Sequence, residues 1–156
     1  MKLLGNQNQY NDSDLLPLAD KPQFIDRKKD PYTTDLDEYR NILARYMHAN
    51  EVELYARHES EHMNVALAVG IHAVYAFHAE GNRFDAYISP YGAAMPRLAH
   101  AAVRVAPLDP SDRDMNDAAE LGYSSIQDIG DRIVAWNKNS QGIHIPLPLT
   151  YTFSTH

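Results

Sequence analysis

The first helical period along the chain falls at Leu36, Tyr39, Leu43, Tyr46 and Met47, which share one face and predict a helix over residues 36–50. Asp35, three positions before Glu38, supplies a capping-box-like start. Residues 1–35 ahead of it carry no period. Their stretch 6–14 is almost wholly polar, and Pro17, Pro22 and Pro31 then break any helix or central strand. Residues 51–62 alternate strictly, with Val52, Leu54, Ala56, His58 and Ser60 opposing Glu51, Glu53, Tyr55, Arg57, Glu59 and Glu61. That alternation predicts a strand.

From 65 to 78, bulky residues (Val65, Leu67, Val69, Ile71, Tyr75, Phe77) oppose small or polar ones (Ala66, Ala68, Gly70, His72, Ala76). A turn at 80–82 and renewed alternation at Phe84, Ala86 and Ile88 complete a predicted hairpin. Residues 97–106 read as a further strand. Asp109 to Asp112 open a short helix through Leu121, closed by Gly122. Ser124 and Gln127 form a second capping box, before a helix carrying Ile126, Ile129, Ile133 and Trp136. The last segment, 143–153, reads as a strand with Ile143, Ile145, Leu147, Leu149, Tyr151 and Phe153 on one face. Pro146 and Pro148 lie on the other and blunt its hydrogen-bonding edge. The expectation is an α+β fold: an antiparallel sheet with helices on one face, forming a single domain over 36–156, plus an extended N-terminal arm over 1–35.

Composition narrows the functional classes. At 156 residues the chain has room for one core. No apolar run reaches the length of a membrane span. A net charge of −7 argues against a nucleic-acid surface, since the one basic cluster, Arg27-Lys28-Lys29, is flanked by Asp26 and Asp30. The lack of cysteine removes disulfides and thiolate chemistry. There is no Gly-x-Ser-x-Gly elbow and no phosphate-binding glycine loop.

One motif carries chemistry. His58-Glu59-Ser60-Glu61-His62 satisfies H-E-x-x-H, and on a helix His58 and His62 would sit one turn apart to hold Zn²⁺. Glu59 or Glu61 would be the general base, with His72, His78 or Asp85 as third ligand. On the predicted strand, however, the two imidazoles stand ~13 Å apart. No catalytic residue, metal site or cofactor is therefore assigned, and a zinc-dependent hydrolase built on His58, Glu59 and His62 is the alternative reading. Asp109, Asp112 and Asp114 read as charges complementing a helix N-terminus.

The remaining signals are architectural. The arm has apolar anchors at Leu15, Leu16, Leu18, Phe24 and Ile25, with Tyr10 and Tyr32 beside them. Ten tyrosines against four phenylalanines suit protein interfaces. These seven arm residues are the expected interface, with the arm laid along a neighbouring chain. The order of elements resembles, at the level of fold, the small ring-forming proteins of phage head–tail junctions and tail ends. The resemblance implies a virion assembly subunit, in a ring of its own copies with neighbouring structural proteins, and no nucleic-acid or membrane partner. A capsid cement protein, or a cytoplasmic accessory subunit of a cellular complex, is the alternative within that class.

Overall fold

The structure, a computed structural model, describes residues 10–139 and 142–152. Among these described residues, ten elements follow one another: β1 (Leu15–Leu16), β2 (Tyr32–Thr33), α1 (Leu36–Leu43), α2 (Ala49–Ala68), β3 (His72–Glu80), β4 (Arg83–Tyr91), β5 (Met95–Pro96), α3 (Arg97–Arg104), α4 (Asp112–Glu120) and α5 (Ile126–Lys138). The fold is α+β, with antiparallel sheets ordered β2-β3-β4 and β1-β5. Among the described residues, no helix is long and apolar enough to cross a membrane.

The predicted strand over 51–62 is instead the centre of α2. Val52, Ala56, Glu59, Met63 and Ala66 are buried at spacings of three and four, the stripe of a helix facing a core. Strict alternation in the sequence was coincidental with that stripe, because Glu59 and buried His62 hide its apolar period. The helix over 36–50 splits: α1 ends at Leu43, and α2 restarts after His48, whose N–H donates to Glu51. Asp35 does cap α1, accepting the Glu38 N–H at 3.3 Å.

α2 also takes over the start of the expected hairpin. It ends in a Schellman arrangement, with Ile71 N–H donating to Ala66 C=O at 2.8 Å and Gly70 N–H to Leu67 C=O at 3.1 Å. Gly70 adopts φ +89°, which only glycine tolerates cheaply. The hairpin then runs from β3 to β4 in the register His72↔Tyr91 through Glu80↔Arg83. Residues 97–106, expected as a strand, form α3 over Arg97–Arg104, whose small buried Ala99, Ala101 and Ala102 let it pack closely against α2, α4 and α5 in turn. α4 keeps its expected place. α5 is capped one residue later than expected, at Ser125, whose Oγ accepts the Asp128 N–H.

No strand forms over 142–152. Ile145 is held instead by paired hydrogen bonds to the Asn137 side chain, and Trp136 Nε1 donates to Ile143 C=O at 2.8 Å. Pro146 and Pro148 thus guard no strand edge, the two prolines having no ladder to interrupt. Phe153 lies outside the described residues.

The sheet is covered on both faces. Ala73, Tyr75, Phe77 and Ile88 turn toward the helices, where Tyr39 stacks on Tyr75 at 4.8 Å and donates its OH to Ala76 C=O. Tyr87, Ser89 and His78 share the opposite face, and the arm lies across it. Ser89 Oγ exchanges bonds with both backbone groups of Gln23, and Tyr87 OH accepts from Ile25 N–H. Asp30 takes bonds from His78 Nδ1 and Tyr87 OH, both at 2.6 Å. Further back, Asp12 and Asp14 carbonyls accept the first two N–H groups of α3, which Pro96 cannot cap. The arm was expected along a neighbouring chain; residues 10–35 run over their own domain because its unpaired polar groups hold them there.

This clamp is pH-sensitive. Burial alone would raise the Asp30 carboxyl, but bonds from Tyr87, His78 and the Asp26 backbone outweigh it and hold it below the carboxylate range. The bonds to Asp30 and then Glu80 raise the His78 imidazole above its usual value. The Asp30 contribution is complete above its unfolded pKa and lost as pH falls through the lowered folded one. The His78 contribution is complete below its unfolded pKa and lost as pH rises through the raised folded one. Hydrogen exchange at residues 23–31, corrected for intrinsic rates, should show greatest protection between about pH 4 and 6.5. It should weaken into the alkaline range. Protection that is flat from acid to alkali would contradict the clamp.

Candidate metal centre

α2 places His58 and His62 one turn apart on its cleft-facing side, their ring centroids 4.9 Å apart and nearly perpendicular. α4 brings the third group. Asp114 stands at the third position of that helix, where its backbone N–H is held by Ser111 Oγ and its carboxylate accepts the Ser111 N–H at 2.9 Å. This reciprocal cap fixes the carboxylate toward α2. One Asp114 oxygen lies 3.2 Å from His58 Nε2, and the other lies 3.2 Å from His62 Nε2.

These separations fit a cation. Ligand atoms at 2.0–2.1 Å around a tetrahedral zinc stand roughly 3.3 Å from one another. The three residues are the group of potential ligands found among the described residues, with one donor atom from each within 4.8 Å of the others. His62 and Asp114 are buried and His58 is largely so.

The outer nitrogen of each imidazole is already engaged. His62 Nδ1 donates to Val103 C=O at 2.6 Å, an acceptor with no proton to give, so its tautomer is set with Nε2 toward Asp114. His58 Nδ1 lies 3.3 Å from Asp109, an exposed carboxylate that also pairs with Arg57 at 3.5 Å. A carbonyl behind one histidine and a carboxylate behind the other is the supporting shell that orients metal-binding imidazoles.

Glu59 completes the group. The residue is 5% exposed, and its carboxylate reaches within 3.8 Å of His58 Nε2. Burial pushes the Glu59 carboxyl up to about 7, with His62 and His58 pulling against it. The bond to Asp114 raises His58 to about 9 against its own burial. Burial would raise Asp114, but bonds from both histidines hold it far below the carboxylate range. The four residues open onto a cleft of about 610 Å³ between α2, β4 and the start of α4.

His58, Glu59 and His62, which the sequence offered only as the alternative to having no metal site, lie together here, and Asp114 joins them unannounced. None of the proposed third ligands joins them: His78 is bound to Asp30, His72 stacks on Tyr91 at 5.6 Å, and Asp85 lines the cleft beside Arg113. Glu61 points elsewhere and accepts the Leu108 N–H. Asp114 read as a helix-terminal charge, which it is. Only the packing of α4 against the cleft side of α2 gives it a second part, and no local spacing signals that. His156 lies outside the described residues, and His144 is exposed. Of the seven arm residues, Leu16, Leu18 and Phe24 are half-buried on their own domain, while Tyr10, Leu15, Ile25 and Tyr32 are exposed.

Compared with protein-family models, with curated proteins and with solved structures, the chain matches none. The reading of the site rests on its own geometry.

Protein refolded with zinc and desalted should hold about one ion per chain by plasma mass spectrometry. His58→Ala, His62→Ala and Asp114→Ala should each lose it while keeping the helical signal. Asp109→Asn, which touches the site only through His58, should weaken affinity about 10- to 100-fold. Undiminished zinc content in the Asp114 variant would remove it from the site.

Proposed function

We propose that the chain is a zinc-dependent hydrolase, with His58, His62 and Asp114 as ligands and Glu59 as general base. The observation that carries this reading is the convergence of one donor atom from each of three residues, all within 4.8 Å of one another, beside a buried fourth carboxylate in an open cleft. Zinc held there supplies Lewis acidity and brings the pKa of a water toward neutrality. Glu59 takes the proton released on attack and returns it to the leaving group, with its buried position keeping the carboxylate off bulk water. Val103 C=O and Asp109 keep both imidazoles oriented throughout.

Two histidines and one carboxylate also suit ferrous iron in oxygenases. Glu59 favours hydrolysis, because a buried base at the metal has a task there that oxygen activation does not need. In the zinc-loaded protein, Glu59→Gln should retain the metal and lower cleavage of a fluorogenic peptide pool by about 10²- to 10⁴-fold. Equal turnover in the variant would take the general base away from Glu59.

The assembly reading stands beside this one as a separate proposal. What supports it is the exposure of four large apolar side chains on one arm, Tyr10, Leu15, Ile25 and Tyr32, which a partner subunit would cover. A place in the virion belongs to the same proposal. It expects concentration-dependent oligomers in mass photometry that Ile25→Ser with Tyr32→Ser abolishes. A monomer at every concentration would end it.

A further inference from the structure

The wall of the cleft opposite the metal ligands is β4, and it presents its rim. Five consecutive residues, Phe84, Asp85, Ala86, Tyr87 and Ile88, all border the cleft. Successive residues of a strand point to opposite faces, so a sheet face would contribute every second one. An unbroken run of five means that the edge itself lines the cavity.

That edge has no partner strand among the described residues, since β4 pairs with β3 alone at the end of the order β2-β3-β4. On such an edge every second residue directs its N–H and C=O outward. Edge strands are commonly blunted by proline or lysine, and residues 84–88 contain neither. The accessible stretch is also bounded. Beyond it the arm takes Ser89 through Gln23 and Gly92 N–H through Ala19 C=O; before it lies the turn at Gly81. What remains spans roughly 17 Å, about five residues of extended chain.

We infer that the substrate is an extended polypeptide, laid as an added strand along the free edge of β4 so that its backbone crosses the metal centre. The inference rests on the hydrolase reading, because the same cleft holds both features. A row of main-chain donors and acceptors recognises another main chain, which a sugar or a simple ester does not offer. Leu54, Tyr55 and Phe84 are exposed large apolar residues on the cleft wall and would receive apolar side chains of the peptide.

The test uses the zinc-loaded full chain and three kinds of probe. These are acetohydroxamate, a leucine-rich pentapeptide hydroxamate, and two twins of that pentapeptide N-methylated at odd or at even positions. The pentapeptide should bind well above acetohydroxamate. One twin should lose about tenfold or more, the worth of two backbone bonds, while the other is nearly unaffected. Equal affinity of the pentapeptide and both twins overturns strand addition even where zinc and acetohydroxamate bind normally. Failure of zinc and acetohydroxamate alike overturns the hydrolase reading beneath it. A stable dimer that the pentapeptide does not disperse gives the edge to a second copy and also overturns the inference.

Discussion

A long helix that buries a glutamate and a histidine among its core residues must find them partners, and this requirement organises the domain. Unpaired, each charge taken from water would cost several kcal/mol, a large share of a small domain's stability. Asp114 gives both α2 imidazoles a partner at once, from a helix about a third of the chain away, and Glu59 has His58 Nε2 at 3.8 Å. Its own carboxylate is held by the cap of α4, so the strength of that helix start and the shape of the site are one arrangement.

Around this contact the other layers act as supports. α3, rich in alanine, packs against both α2 and α4 and so stands between them, and its Val103 carbonyl orients His62 from behind. The loop between α3 and α4 brings Asp109 to His58. On the other side the sheet carries β4 to the cleft. The arm braces the sheet's outer face through Gln23, Ile25 and Asp30, and the same Tyr87 that anchors the arm borders the cleft. A segment that reads as a tether to other chains thus serves first to hold the wall of the site.

Much of the fold was legible where a local rule acts without competition. The hairpin turn at Gly81, the cap at Asp35 and the glycine stop at Gly122 depend on a few neighbouring residues, and each stands where the sequence placed it. The reading failed where buried polar residues displace the usual pattern. Helix α2 hides its period because Glu59 and His62 occupy core positions that apolar residues would otherwise fill. Its exposed Leu54, Tyr55 and Leu67 add apolar signal on the wrong side. Residues 97–106 misled differently: a run rich in small residues has no period of its own, and tertiary packing decides it. The motif at 58–62 was visible, but whether its histidines converge depends on helix against strand, and so the mistaken element concealed the site. Asp114 carried no local sign at all.

On the proposed reading, His58, His62 and Asp114 converge on a single ion. X-ray absorption at the zinc edge, on protein loaded with one equivalent, tests it most directly. The spectrum should show a four-coordinate shell with two imidazoles and at least one carboxylate oxygen at about 2.0–2.1 Å. In His62→Ala, which no longer retains the ion, the imidazole shell should vanish and any zinc added should read as hydrated. A shell of six oxygens without imidazole, or a spectrum that His62→Ala leaves unchanged, would contradict it.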